Sequence, residues 1–166
     1  MEITLAPFDA TGRARIAQLI SKSNQFNLTT KRYSELDVKA LEESSNYYTR
    51  QIRLKDTLGD NGMISVIICR KGSIAWEIDT WLMSCRVLGR RVEEAALFDI
   101  VNHAKEAGAI KLTGIYSPTD RNVIVKDHYR KLGFIKTSSD GGIETWEFDL
   151  TKYESSKVPM KFKYAL

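Results

Sequence analysis

The chain has 166 residues, of which 43% are hydrophobic and 28% charged, the balance of one ordinary globular domain. The formal net charge of +4 is too small for a sequence-independent nucleic-acid binder, and no apolar run reaches the ~20 residues that span a bilayer. Cys69 and Cys85 are too few for a disulfide scaffold, and His103 and His128 lack zinc-ligand spacing, so no metal is expected. No signal peptide is visible, and we expect a cytoplasmic protein without a membrane or nucleic-acid partner.

Strand and helix patterns alternate along the chain. Strands are predicted at Glu2–Leu5, Tyr47–Leu54, Met63–Cys69, Ile74–Met83, Ile110–Tyr116 and Ile143–Leu150. Helices are predicted from a Thr11 N-cap to about Ser23, from a capping box at Ser34–Asp37, over Val92–Ala107 and over Asn122–Leu132. This order predicts an α/β (α+β) fold in which helices flank both faces of a mixed central sheet. We expect one domain over residues 1–150 and an extension over 151–166 whose structure the pattern does not indicate.

Several local features carry their own predictions. The Asn61-Gly62 pair predicts a hairpin turn. Phe26 lies in a polar loop and is expected to be exposed. The inner faces of the first two helices are predicted to bury Ile16, Ala17, Leu19 and Ile20, and then Leu36, Val38 and Leu41.

The segment Arg86–Arg91 joins a buried strand to an amphipathic helix. Unpaired amides at a helix start favour an anion, and Arg86 and Arg90 add charged donors. Gly89 leaves room for a close ligand. The alternative is an ordinary solvated turn whose helix dipole is satisfied by Glu93 and Glu94.

Further along, Asn122, Tyr129 and Gly133-Phe134 form an N-x6-Y-x3-G-F pattern. Together with the R-x-x-G turn and the element order, this pattern resembles the acyl-CoA-binding core of the GNAT acetyltransferase superfamily. The resemblance implies a bound acetyl-CoA, another acyl-CoA or a phosphopantetheine thioester, whose arm lies between strands that part near Met83 and Tyr116. It implies cofactor contacts at Met83, Ser84, Arg86, Val87, Leu88, Gly89, Arg90, Arg91 and Asn122.

The same resemblance implies catalytic and acceptor-binding roles. Tyr129 would protonate the leaving thiolate, and the alternative is a tyrosine packed in the core. Independently of the resemblance, Glu77 and Asp79 lie two apart on a predicted strand and so point to one face, which makes Asp79 the candidate base if that face borders the cleft. The alternative is a carboxylate on a solvated face or paired with an arginine. The acceptor would contact Asn24, Gln25, Asn27 and Thr29, unless that loop merely hydrogen-bonds to itself. Arg91 departs from the pattern, which usually has Gly or Ala there. As a better helix former by up to ~1 kcal/mol, arginine is expected to propagate the helix.

Three longer segments carry a narrower resemblance. Asn24–Thr30, Gly59–Gly62 and Ser84–Arg90 resemble the C-terminal part of FkbH-like proteins, which load a glyceryl unit onto an acyl carrier protein during polyketide extender-unit (methoxymalonyl) biosynthesis. The haloacid-dehalogenase-like part of that family has no counterpart in this sequence, so we expect an isolated GNAT-like C-terminal domain. Two hypotheses stay open, an acyltransferase and a non-catalytic module that docks the carrier for a haloacid-dehalogenase-like partner domain.

Overall fold

A computed structural model describes residues 1–155 and 157–165. Within them, eight strands form one sheet in the order β6-β7-β5-β4-β3-β2-β1-β8. The strands are β1 (Glu2–Ala6), β2 (Tyr47–Asp56), β3 (Gly59–Lys71), β4 (Ala75–Met83), β5 (Lys111–Tyr116), β6 (Ile135–Asp140), β7 (Ile143–Asp149) and β8 (Lys161–Tyr164). The α-helices are α1 (Arg13–Lys22), α2 (Glu35–Glu43), α3 (Val92–Glu106) and α4 (His128–Lys131). Neighbouring strands are antiparallel except for the parallel pairs β4–β5 and β1–β8.

Helices cover both faces of the sheet, as predicted. On one face, α1 and α2 pack against a cluster that includes Val66, Ile68 and Leu82. On the other, α3 and α4 pack over the larger core around Ile67, Ile78 and Trp81. The predicted inner face of α1 is confirmed, since Ile16, Ala17, Leu19 and Ile20 are buried.

The predictions for the first two helices are only partly confirmed. The capping box of α2 is confirmed, with Ser34 and Asp37 each accepting a backbone N–H from the other. The buried positions Val38 and Leu41 are three residues apart on one side, which leaves Leu36 75% exposed and the prediction for it wrong. The Thr11 N-cap is also wrong, because α1 is preceded by Gly12, whose amide donates to Asp9 Oδ1 at 2.6 Å.

The first hairpin turns earlier than predicted. Asp56 pairs with Gly59, so the two turn residues are Thr57 and Leu58. Asn61 and Gly62 lie instead in an irregularity of β3, where Gly62 has a φ of 70°. The Asn-Gly pair therefore bends a strand and does not reverse the chain.

The predicted helix over residues 122–132 is wrong in extent. A 3₁₀ turn at Val123–Val125 is followed only by the four-residue α4. The β-branched Val-Ile-Val run has a low helix propensity, which favours the interruption. Two strands were not predicted. β6 is exposed throughout and has no apolar period, and β8, from the unplaced tail, pairs with β1.

Candidate functional site

The centre of the sheet opens where β4 and β5 part. Their parallel pairing ends at Ile78 and Gly114, although β4 continues for five further residues to Met83. A register shift against β3 leaves Asp79 unpaired, since Ile78 pairs with Cys69 and Thr80 with Ile68. The bulge and the end of pairing coincide, so the two strands diverge from Asp79 onward.

A segment of the chain itself fills this gap. Leu28 N donates to Trp81 O at 3.1 Å, and Met83 N donates to Phe26 O at 3.0 Å, which adds a short antiparallel bridge to β4. On the other side, Ser117 N donates to Leu28 O at 2.8 Å, just beyond β5. The predicted slot between the strands is therefore occupied by main chain, and Phe26, expected to be exposed, is buried.

We call Phe26–Leu28, the segment that fills the gap, the plug. The side chain of Asn122 holds it in place through hydrogen bonds. Its Nδ2 donates to Asn27 O and to Ser117 O, both at 3.0 Å, and its Oδ1 accepts from Thr119 N at 2.7 Å. The predicted cofactor contact at Asn122 thus engages the chain's own backbone.

The predicted acceptor-binding residues fall into two groups. Asn27 and Thr29 are buried and hydrogen-bond within the fold, with Thr29 Oγ1 donating to Asp79 O at 2.9 Å. Asn24 and Gln25 line an open cleft of about 730 Å³, called here the Gln25 cleft. Its other walls include the predicted cofactor contacts Met83 and Ser84, together with Cys85, Asp120 and Arg121.

Tyr129 lies where β5 diverges from β4, but inside the core. Its hydroxyl donates to Ile115 O at 3.2 Å, and its ring packs directly on Gly114. Burial raises the pKa of this phenol well above its ordinary value, so the group keeps its proton. The side chain is 2% exposed.

Asp79, the predicted base, is engaged by several donors. Its carboxylate forms an ion pair with Lys31 and accepts hydrogen bonds from the hydroxyls of Tyr33 and Thr80. Burial, and then the neighbouring carboxylate, raise the pKa of Tyr33. Asp79 thus lies next to the loop between α1 and α2.

The side chains of the three arginines of the turn, Arg86, Arg90 and Arg91, bind different partners and do not meet at one anion site. Arg90 forms an ion pair with Asp56 on the first hairpin, and Arg91 binds Glu94 through Nε at 3.0 Å and Nη2 at 2.6 Å. Arg86 contacts Ser84 Oγ at 3.2 Å and Asn61 O at 3.4 Å.

The turn also uses several of its own amides. A 3₁₀ turn at Cys85–Val87 and the next residues occupy the amides of Val87, Leu88 and Arg90, which corrects the expectation that amides throughout Val87–Arg91 face a ligand. Arg91 has a φ of 63° and precedes α3, so it does not propagate the helix as expected. Among the described residues, the amides of Gly89, Arg91, Val92 and Glu93 have no backbone acceptor.

A second opening lies between the start of α3 and α4. This cavity of about 420 Å³, called here the His128 cavity, is lined by the predicted contacts Leu88 and Gly89 and by Phe26, Glu93, Glu94, Ile124, Val125, His128, Lys131 and Leu132. Two of its buried polar atoms, His128 Nε2 and Glu93 Oε2, have no hydrogen-bond partner within the described residues. Burial, assisted by Lys131, lowers the pKa of His128 to about 3, so the ring is neutral. His128 and Glu93 were not predicted as site residues, and only their placement identifies them.

A further buried polar cluster joins β2 to α3. Asp99 is 1% exposed, and one of its oxygens accepts from Arg50 Nε at 2.8 Å and from the hydroxyl of Tyr48. His103 Nδ1 lies 3.2 Å from the other oxygen. Because these groups are mutually engaged and Asp99 is buried, we assign the cluster to stability.

No group of three or more His, Cys, Asp or Glu side chains among the described residues is arranged to hold a metal ion. The helices of that part of the chain also lack the length and hydropathy needed to span a membrane.

Comparison with known proteins defines the class of fold. No family model and no curated protein matches this sequence. Solved structures do match. The GNAT domain of S. lividans PAT is 17% identical, with a TM-score of 0.67 over 87% of this chain and 89% of that chain. The ribosomal-protein-S18-alanine N-acetyltransferase of Escherichia coli is 10% identical, with a TM-score of 0.67 over 93% and 98%. Ard1 of Thermoplasma volcanium is 14% identical, with a TM-score of 0.68 over 90% and 98%.

These likenesses, with the mixed sheet and its diverging β4–β5 pair, give the chain the GNAT acyl-CoA acyltransferase fold. The residues of this chain fit acyl-CoA, the group that this fold family binds, only in part. The His128 cavity offers space for a neutral arm. At the start of α3, Arg90 and Arg91 are paired with Asp56 and Glu94, whereas amides of the turn have no backbone acceptor within the described residues.

Proposed function

We propose that this domain docks an acyl carrier protein and receives its phosphopantetheine arm, with the acyl thioester, in the His128 cavity. The observation that carries the proposal is a cavity, lined by both apolar and charged residues, that opens beside α3 while the gap between β4 and β5 is filled. At the mouth, Leu88 and Ile124 are 46% and 55% exposed, which suits contact with another protein.

The charge around the mouth suits an acidic carrier. Lys131 lines the cavity and is exposed, as are Lys126 and Arg130 on the same stretch of chain. Basic residues around an apolar contact raise the association rate with an acidic partner and make it sensitive to salt.

The contacts of the two predicted catalytic residues, Tyr129 and Asp79, favour docking over catalysis. Tyr129 is buried with its hydroxyl bonded to Ile115 O, and Asp79 is held by Lys31 and Tyr33. A base that already has three donors is poorly placed to accept another proton.

We further propose that the domain acts in FkbH-type glyceryl or methoxymalonyl extender-unit biosynthesis, beside a haloacid-dehalogenase-like domain that carries the chemistry. Support comes from the three segments of the narrower resemblance, which meet in space. Gln25 Oε1 accepts from Cys85 Sγ at 3.3 Å, and Arg86 Nη2 lies 3.4 Å from Asn61 O.

Titration calorimetry with an acyl carrier protein tests the docking. Holo carrier is expected to bind more tightly than apo carrier, with an affinity that falls steeply between 50 and 300 mM salt, roughly as surface charge contacts do. The double variant Lys126→Glu, Lys131→Glu should abolish binding. Lys39→Glu on α2 provides a matched control on the opposite face and should bind normally. Equal affinity for holo and apo carrier would contradict insertion of the arm.

Acyl transfer is the second candidate function. It is favoured by the position of Tyr129 at the divergence of the strands, from which its hydroxyl would protonate a departing thiolate if released from Ile115 O. Thiol release from an acyl carrier or from acetyl-CoA, lost in Tyr129→Phe by about 10²-fold or more, would establish it in place of docking.

A further inference from the structure

One end of the sheet carries exposed basic side chains on the side that faces away from α3. Phe162 of β8 packs against Phe98 of α3. Because successive residues of a strand point to opposite faces, Lys161 and Lys163 point to the other side of the sheet. Both lysines are exposed, and β8 is the edge strand, so neighbouring side chains on this side come from β1 and then β2.

The strand register arranges these side chains in two rows across β2, β1 and β8. We call them together the basic face, with Lys55, Glu2 and Lys161 in the first row and Arg53, Thr4 and Lys163 in the second. The four cationic side chains are exposed, and those of β1 between them are half-buried. No helix therefore covers this part of the sheet.

The charge of the basic face is not compensated within the described part of the chain. Its four cations and one carboxylate form no ion pair there. Like charges close together on a sheet face are destabilising. Lysines on an edge strand prevent unwanted sheet pairing, which accounts for β8 but not for Arg53 and Lys55, because β2 is an interior strand. The uncompensated charge therefore indicates an acidic partner.

The central carboxylate of Glu2 indicates the class of partner. A nucleic acid is negative at every nucleotide, and an anionic membrane presents a uniformly negative surface, so either would be repelled by Glu2. A protein surface can place a basic residue against Glu2 and carboxylates against the flanking cations. The two rows also hold no aromatic side chain on which the bases of a single strand could stack.

The spacing of the first row matches one side of an α-helix. Neighbouring strands lie about 4.8 Å apart, so Lys55 and Lys161 are roughly 10 Å apart, with Glu2 midway between them. An α-helix rises about 1.5 Å per residue, so its positions i and i+7 are about 10.5 Å apart on one side, with i+4 between them. The lysines of β8 disfavour the alternative, an extended segment added to the edge of the sheet.

We infer that the basic face docks an acidic helix of a partner protein, which lies across β2, β1 and β8. Its carboxylates at i and i+7 pair with Lys55 and Lys161, and a basic residue at i+4 pairs with Glu2. The second row, about 7 Å along the strands, flanks the helix and adds positive charge. The inference does not depend on the carrier proposal, because the basic face lies on the opposite side of the sheet from α3 and α4.

Two synthetic helical peptides, titrated into the full chain by calorimetry, provide the test. The first has Glu at i and i+7 and Lys at i+4, and the second has Glu at all three positions. The first is expected to bind several-fold more tightly, although the second is more negative, and to lose its affinity in about 300 mM salt. Equal or tighter binding of the second peptide would overturn the inference. Tighter binding of duplex DNA or of phosphatidylserine vesicles than of the first peptide would do the same.

Neutral substitutions in the first row give a second readout. Glu2→Gln removes the central charge and should reverse the preference, so that the peptide with three Glu residues binds more tightly. Lys55→Gln combined with Lys161→Gln should weaken binding of the first peptide by about ten-fold or more. Lys105→Gln, exposed on α3 on the other side of the sheet, is the matched control and should bind normally. An unchanged preference in Glu2→Gln, or unchanged affinity in the double variant, would refute docking at the basic face.

Discussion

The amide of Leu28 donates to the carbonyl oxygen of Trp81 at 3.1 Å, so a loop residue pairs with the central strand beyond the point where β5 has left it. Backbone groups of β4 that would otherwise face the gap are thereby satisfied inside the chain. The strands diverge as they do in the GNAT fold, but in this chain the gap between them is filled by a loop of the chain itself. Open space next to this region remains in the His128 cavity and in the Gln25 cleft.

Asn122→Ala is expected to loosen the plug. Carbonyls of Asn27 and Ser117 and the amide of Thr119 would lose their partner, which should lower the free energy of unfolding by about 2 kcal/mol or more. Hydrogen exchange of the Leu28 amide should accelerate more than that of amides in α3. Asn24→Ala, which alters a more accessible amide of the same loop, should leave Leu28 protected. Unchanged exchange at Leu28 would show that Asn122 does not hold the segment.

Gly114→Ala should destabilise the fold because a Cβ there would lie 2.5 Å from Cε1 of the Tyr129 ring. The ring is enclosed and the strand is paired, so relief requires repacking at about 1–3 kcal/mol. Urea denaturation of the variant and of the unchanged chain measures the loss, and a loss below about 0.5 kcal/mol would contradict the tight packing of Tyr129.

Acid should destabilise the protein partly through His128. Its pKa is lowered to about 3 in the folded state, whereas an unfolded histidine titrates near 6.5. As the pH falls below 6.5, the unfolded chain takes up a proton that the folded chain does not. Stability is therefore lost in that direction, by about 2 kcal/mol at pH 5.

His128→Gln should flatten the dependence of unfolding free energy on pH between 6.5 and 4. The half-exposed His103 offers a control, because His103→Gln should keep the slope contributed by His128. Stability measured by urea denaturation across this range decides the matter, and a wild-type slope in His128→Gln would contradict the buried, neutral ring.

Asp99→Asn should be among the most destabilising isosteric changes. It removes the charge that compensates the largely buried Arg50 guanidinium, and breaking a buried pair in this way costs about 3–5 kcal/mol. Glu147→Gln, which breaks an exposed pair with Lys111, should cost about 1 kcal/mol or less. Thermal and urea unfolding compare the two. Similar small losses would mean that the Asp99 cluster is not needed to hold α3 on the sheet.

Arg91→Gly tests why an arginine occupies a position where the GNAT pattern has a small residue. The backbone φ of 63° disfavours a side chain by about 1–2 kcal/mol, and glycine relieves it. The exposed ion pair with Glu94 offsets at most about 1 kcal/mol of this. We therefore expect equal or slightly higher stability in denaturant titrations. A clear loss would show that the Arg91–Glu94 pair contributes more than an ordinary surface pair.

Local patterns were enough to place most of the scaffold. The apolar period of α3, the buried run of β3 and the capping box at Ser34 depend on neighbours within a few residues, and each formed as predicted. The position of the turn at Arg86, between a buried strand and a helix, follows from the same local signals.

Only the tertiary structure decided how the site is filled. Asn27 and Asn122 are 95 residues apart in the chain, and β8 joins a strand that begins at Glu2. The periodicity of apolar residues along the sequence does not predict such partners. A hydrogen bond between distant segments depends on the packed fold and not on the spacing of residue types. For the same reason the sequence did not indicate Glu93 and His128 as unusual residues. Their side-chain atoms lack a partner only because the folded chain buries them.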